Sequence, residues 1–285
     1  MMSCQRLSSR ALQELVDTFR LRRNLAVGPS TAKIFYTARN YLAGKIPGEL
    51  VFAVDKWPDF SAVMCAVGEG TYQYLQDIET YTFYWENNQG LLRLLRDAKF
   101  VDWDETFTIA GFSERGLPLL NQVCHDMNKP PPTNDTMTHC NTAFFTGQII
   151  GNDSPPSPLL TIGPLEVQHA ELVNRVWRWG GQSKVLEFLQ YIIRTFPSRC
   201  LYDENDQPLS FSVAQPWGEV GPLYSRTTRS DHGTIIFRNI LKNIQEAGDL
   251  PYVYAESRLP RLRTHAMKVG GHWDPFGSCY WVYIS

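Results

Sequence analysis

The sequence has no apolar run of eighteen residues, no C-x-x-C motif and no excess of charge of either sign. The first absence leaves no stretch long enough to cross a membrane as a helix. The six cysteines (4, 65, 124, 140, 200 and 279) are scattered, and the closest pair is sixteen residues apart. That spacing excludes a disulfide scaffold. Twenty-seven basic against twenty-nine acidic side chains leave a net charge of −2. A general nucleic-acid binder carries a large basic excess, so no nucleic-acid partner is expected. A hydrophobic fraction of 43% and a charged fraction of 20% exclude disorder, collagen and coiled coil.

What is present is enough chain for a buried core. At roughly 150 residues per domain, 285 residues predict two domains. Cys124-His125 and His139-Cys140 form a C-H…H-C pattern that offers four potential zinc ligands. Each half places its ligands on adjacent residues, unlike the usual spacing of zinc sites, and Pro130-Pro131-Pro132 lies between them. Reduced, partly buried thiols are the expectation. At the N-terminus, Leu12, Leu15, Val16 and Phe19 recur at helical spacing, which predicts an amphipathic helix over 8–23. A mitochondrial presequence is the competing reading, but such peptides are poor in acids and this segment carries Glu14 and Asp17.

Two proline-rich stretches punctuate the middle, 128–134 and 151–158. Each proline lacks a donor and biases its predecessor away from helix, so the domain boundary is expected at the second. The expected division is 1–158 and 159–285. In the first half the pattern predicts helices at 31–42 and 90–98 and strands at 49–54 and 62–67. The second half predicts helices at 167–177, 183–196, 234–247 and 260–269. Its strands are expected at 199–202, 209–214, 219–225, 252–255 and 279–284. Ser183 suits a helix N-cap and Gly248 a helix C′ position. The order amounts to a mixed α/β sheet with helices on both faces.

The most informative junction runs from Glu219 to Thr234, where a strand ends in a polar turn and a helix begins at a glycine. Free N–H groups at such a helix start attract phosphate, assisted by the helix dipole. Gly233 lets a ligand approach the backbone closely, and Arg226 and Arg229 add positive charge upstream.

These residues also carry a resemblance. Val54-Asp55-Lys56-Trp57-Pro58-Asp59-Phe60, His169-Ala170-Glu171-Leu172-Val173-Asn174, Trp177-Arg178-Trp179-Gly180-Gly181 and Arg194 through Leu201 (RTFPSRCL) resemble the glycine N-acyltransferase family, acyl-CoA-dependent enzymes of the GNAT superfamily. The spacing from Gly218-Glu219 through His232-Gly233 to 251–254 agrees without a gap, whereas 100–160 matches poorly. The resemblance implies two GNAT-like domains in tandem, with acyl-CoA bound as cosubstrate by the C-terminal one. It implies Glu219 as general base, since an amine must lose a proton on attacking a thioester. It also implies that the pantetheine arm pairs with the strand carrying Leu223, Tyr224 and Ser225. The phosphates would then meet Arg229, His232, Gly233 and Thr234. The N-terminal helix aligns with the family's own first helix, leaving no room for an added presequence.

On this reading the protein transfers an acyl group from acyl-CoA to glycine or a similar amino acid, as a monomer with no metal or permanently bound cofactor. The family resemblance implies the mitochondrion, with the cytoplasm as the alternative location. Ser230 stands where the family has a phosphate-loop arginine, and Pro222 interrupts the pairing strand. A catalytically weak or inactive GNAT-like protein that binds acyl-CoA or a protein partner is therefore the alternative function. For the remaining singled-out residues the sequence favours bland roles: capping or packing for His169, a turn and core for Trp57 and Phe60, core for Tyr252 and Tyr254. It assigns none to His265, His272 and Trp281.

Overall fold

The protein's computed structural model describes residues 4–21, 29–227 and 231–285. The chain forms two compact units, Met1–Thr142 with Asp274–Ser285, and Ala143–Trp273. The first unit opens with β1 (Gln5–Arg6), α1 (Ser9–Leu21), α2 (Pro29–Leu42), β2 (Leu50–Val54) and β3 (Ala62–Val67). It continues with α3 (Gln73–Ile78), β4 (Tyr81–Trp85), α4 (Asn88–Arg96), β5 (Phe107–Ser113), α5 (Leu117–Asp126) and β6 (Met137–Phe144). The second holds β7 (Thr161–Gly163), α6 (Ala170–Val176), α7 (Ser183–Thr195), β8 (Ser198–Tyr202) and β9 (Pro208–Ala214). After these come β10 (Val220–Ser225), α8 (His232–Glu246), β11 (Tyr252–Glu256) and α9 (Pro260–Lys268). A long last strand, β12 (His272–Ile284), returns to the first unit.

The observed division differs from the one expected at 158, for two physical reasons. First, the proline-rich stretch is docked on α8 within the second unit. Arg238 and Asn239 donate to the carbonyls of Asn152 and Asp153, and Lys242 pairs with the Asp153 carboxylate at 2.8 Å. Second, β12 lies between β5 and β6 in the strand order β1-β2-β3-β4-β5-β12-β6. It pairs antiparallel with β5 from Cys279↔Ser113 to Ile284↔Phe107. The chain's end therefore completes the first unit's sheet.

Burial explains most element choices. Leu12, Leu15, Val16 and Phe19 of α1 are all buried, so this stripe packs on the unit as predicted. The chain caps the 183–195 helix with Gln182 rather than Ser183. Gly248 follows α8 at φ +82°, the left-handed conformation that glycine adopts without steric cost. All six cysteines are free and buried, beyond the partial burial expected. Burial pushes the Cys124 thiol up to about 11, so it is protonated at neutral pH. Among the described residues no cluster of three or more His, Cys, Asp or Glu is placed to hold a metal.

Two buried polar clusters hold the first unit. Asp55, fully buried, accepts from the Ser61 and Ala62 N–H groups at 2.7 and 2.8 Å, from Ser61 Oγ at 2.8 Å and from Arg93 at 2.5 Å. The carboxylate thereby closes the turn in which Trp57 stacks on Phe60 and ties it to α4. The second cluster joins Lys33 of α2 to Glu79 at 2.5 Å, with Trp281 Nε1 of β12 donating to the same carboxylate at 3.1 Å. Lys33 and Glu79 are both buried, so neither charge is left alone out of water.

Burial alone would raise the Asp55 carboxyl, but the bonds from Ser61, Ala62 and Arg93 outweigh it and hold the group below the usual carboxylate range. Because the folded-state value is depressed, its stabilisation is present above the unfolded value near pH 4 and lost as pH falls through the folded one. Asp55→Asn is expected to cost about 2–3 kcal/mol at pH 7. In urea denaturation the gap from the parent protein should close below about pH 4. A gap unchanged between pH 7 and pH 3 would contradict the charge-assisted role.

Candidate functional site

In the second unit the strand order is β10-β9-β8-β7. β10 pairs antiparallel with β9, Leu223↔Ser212, Tyr224↔Phe211 and Ser225↔Ser210, with a shift in register between Val220 and Leu223. Pro222 sits in that shift, so it costs the ladder no donor where pairing is regular. Tyr224 stacks on Phe211 at 5.1 Å, and its carbonyl accepts from Ser210 Oγ at 2.6 Å. Ser225 Oγ donates to the Thr227 carbonyl.

On the side away from β9, among the described residues, β10 and β11 are joined at a single parallel bridge, Glu219↔Tyr252. The strands continue beyond it without a ladder. Leu223, Tyr224 and Ser225 lie along that unpaired stretch and are half-buried. Glu219 itself stands immediately before β10, half-buried, and not within the strand as predicted. Trp217 Nε1 donates to its Oε2 at 2.8 Å. The Trp217 ring is buried and stacks on Phe188 of α7, and its carbonyl accepts the Tyr252 hydroxyl at 2.6 Å. The carboxylate is thus oriented by an indole that is itself held by α7 and β11.

The helix that follows is placed as expected. α8 starts at His232, and its N-cap Asp231 makes no side-chain bond to the helix, so the first N–H groups are not capped by that carboxylate. His232 is half-buried, and its Nδ1 has no hydrogen-bond partner among the described residues. A Cβ on Gly233 would meet Ser225 Cβ at 3.5 Å, an ordinary contact, so the fold itself does not demand glycine there. Thr234 is buried with Oγ1 2.8 Å from His265 Nδ1 of α9. Its hydroxyl joins the two helices. Arg229 and Ser230 lie outside the described residues, and Arg226 is exposed.

Several participants were not legible in sequence. Trp217 is signalled only by an indole two residues from an acid in a turn. Tyr252 is core, as expected, but its hydroxyl also positions Trp217. His265 and Trp281 gain partners, Thr234 and Glu79, only through tertiary contact. His169 makes no side-chain cap and packs its ring on Tyr202 at 5.7 Å, so packing is its role. An open groove lined by Glu86, Asn87, Asn88, Gln89 and Arg93 belongs to the first unit. Its one arginine is already bonded to Asp55.

The model of the aralkyl acyl-CoA:amino acid N-acyltransferase family matches residues 29–197. A glycine N-acyltransferase-like protein, Keg1, of Rattus norvegicus is 26% identical over 230 residues, which cover 75% of this chain and 75% of that one. The glycine N-acyltransferase of Homo sapiens is 24% identical over 253 residues, covering 81% of this chain and 82% of its own. Among solved structures, the X-ray structure of a Drosophila protein is similar with a TM-score of 0.77 at 13% identity, covering 100% of this chain and 99% of that one. A tandem GNAT protein from the clavulanic acid biosynthesis pathway is similar at 0.55 with 8% identity, covering 99% and 97%. At such identities the likeness concerns the fold, which is two GNAT-like domains in tandem with a mixed sheet. With more than half of its length matched by the family model, the chain belongs to the aralkyl acyl-CoA:amino acid N-acyltransferase family.

Proposed function

We propose that the second unit transfers an acyl group from acyl-CoA to the amine of glycine or a similar amino acid, with Glu219 as general base. The observation that carries this reading is the pairing of β10 and β11. Among the described residues their one bridge lies at Glu219, just before β10, and Tyr252, and a half-buried carboxylate held by Trp217 stands at that meeting point. An extended pantetheine arm fits the unpaired edge along Leu223, Tyr224 and Ser225, where backbone groups supply its hydrogen bonds. The start of α8 at His232 and Gly233, which the Asp231 side chain does not cap, suits the phosphates. With a chain net charge of −2, CoA must be attracted by such local groups and not by a global field.

In the reaction the amine nitrogen attacks the thioester carbonyl. The nitrogen–carbon bond forms, the carbon–sulfur bond breaks, and the amine proton passes to Glu219. The CoA thiolate leaves and is protonated from solvent. Tyr252 is not the donor, because its hydroxyl is buried and bonded to the Trp217 carbonyl. Residence in the mitochondrion, with the cytoplasm as alternative, belongs to the same reading and is tested by fractionating cells that express a tagged full chain.

Glu219→Gln keeps an acceptor for the Trp217 N–H and removes the base. It is expected to lower kcat by ~10²–10⁴ in an assay of thiol release from benzoyl-CoA with glycine, while acyl-CoA affinity stays unchanged. Wild-type kcat in the variant would remove Glu219 from the mechanism, and acyl-CoA binding without turnover on any amine would favour the inactive binder. Gly233→Ala is expected to keep or raise stability, by up to about 1 kcal/mol. Its acyl-CoA affinity should fall about tenfold, close to 1.4 kcal/mol, by calorimetry. Unchanged affinity would move the phosphates away from the start of α8.

A further inference from the structure

The carboxylate of an acceptor amino acid needs a cationic partner, and the sequence does not identify one. The structure offers one at the far end of β11. Glu256, its last residue, is almost wholly buried, with its side chain 10% exposed. A single oxygen, Oε2, accepts from Arg178 Nη1 at 2.6 Å and from Arg258 Nε at 2.9 Å. Two guanidinium groups share one carboxylate, so in this described trio the positive charges outnumber the negative by one. Their side chains are 42% and 61% exposed, so donors of each face solvent. A guanidinium carries five N–H donors in a fixed fork that matches a carboxylate.

The cluster is preorganised. Arg178 lies over the Trp179 ring, 5.0 Å from its centroid. The 177–182 loop that carries both is held by Asn174, whose side chain accepts from Gly181 N–H and donates to the Gln182 carbonyl. A Cβ on Gly180 would fall 1.8 Å from the Asn174 carbonyl oxygen, so only glycine permits this close turn. Arg258 stands in the turn where Leu259 N–H bonds back to the Glu256 carbonyl.

Its position relates it to Glu219. Residues two apart on a strand share a face, so Tyr252, Tyr254 and Glu256 form one row, and the Tyr252 and Tyr254 rings meet edge to face at 5.4 Å. The row begins at the hydroxyl that holds Trp217, the donor to Glu219, and ends at the two arginines. Four residues of strand separate Tyr252 from Glu256, about 13 Å at ~3.3 Å per residue. The side chain of Glu219, a small amino acid and an arginine side chain together span that distance, with a water between base and amine.

We propose that Arg178 and Arg258, oriented by Glu256, bind the carboxylate of the acceptor amino acid and so select free amino acids over neutral amines. This rests on reading the second unit as an amino-acid acyltransferase. CoA phosphates share the oxyanion chemistry, and because β10 and β11 run parallel the arginines and the start of α8 lie towards the same end of these strands. The row of side chains from the arginines to the bridge at Glu219 favours the acceptor carboxylate, and the test separates the two.

The test uses the full chain saturated with CoA and two probes, benzoylglycine and benzoylglycinamide, titrated by calorimetry. Steady-state rates with benzoyl-CoA and glycine or glycinamide accompany it. The wild type is expected to favour the acid over the amide at least about tenfold. In Arg178→Gln/Arg258→Gln that preference disappears while KM for benzoyl-CoA is unchanged. Where the double variant loses its fold by circular dichroism, Arg258→Gln, which keeps the Arg178–Glu256 pair, decides through the same ratio. An undiminished acid/amide ratio in the variant, or no preference in the wild type, overturns the proposal. A raised KM for benzoyl-CoA with the ratio intact does so too and assigns the arginines to phosphate. If the wild type turns over no amine, the calorimetric ratio still decides the clamp, and only the reaction reading fails.

Discussion

The bridge between Glu219 and Tyr252 is the constraint on which the second unit's chemistry turns. Parallel neighbours normally continue a ladder, but here they share one pairing and then run on with β10 paired only to β9. Among the described residues one strand edge is left outside any ladder, and the same bridge sets the height at which Glu219 stands. Trp217 then orients the carboxylate, and Tyr252 holds Trp217, so a single strand contact fixes three side chains. Without it the carboxylate would be one more acid in a turn.

Binding charge at the mouth of such a site does not require a basic protein. The start of α8 carries N–H groups that the Asp231 side chain leaves uncapped, and Glu256 arranges two arginines. On the proposed reading, a chain of almost balanced charge attracts an anionic cosubstrate and an anionic acceptor through local groups alone. The first unit works differently. Its buried charges, Asp55 with Arg93 and Lys33 with Glu79, are consumed by internal partners and serve cohesion. Trp281 links one of these pairs to β12, so the chain's final residues hold together the unit that its first residues begin.

Elements with one apolar stripe or one solvated face are legible in the sequence. α1, α7 and α8 show helical spacing of their buried residues, and β8 and β9 flank a turn rich in Asp and Asn. β5 is not legible because every residue from Phe107 to Ser113 is buried, which erases the alternation that marks a strand. β4 escapes for a similar reason, since Tyr81–Trp85 is aromatic or buried on both faces. β12 is legible only from residue 279, because Pro275 and Gly277 interrupt its first half. Pro155, Pro156 and Pro158 signal a boundary in sequence, since nothing local shows that Asn152 and Asp153 are bonded to α8.

The sequence by itself determined the class of fold and the strand–turn–helix that carries Glu219, His232 and Gly233, because these depend on local spacing and composition, and its motifs carried the resemblance to the family. The tertiary structure decided where the units divide, which indole holds the carboxylate, that the Thr234 hydroxyl is committed to His265, and that Arg178 and Arg258 converge on Glu256. The Thr234–His265 and Arg178–Glu256 contacts join residues thirty or more positions apart, and the local Trp217–Glu219 and Arg258–Glu256 bonds gain their meaning from long-range partners, Tyr252 and Arg178. A spacing pattern cannot encode them, because they exist only once the sheet and its helices have packed.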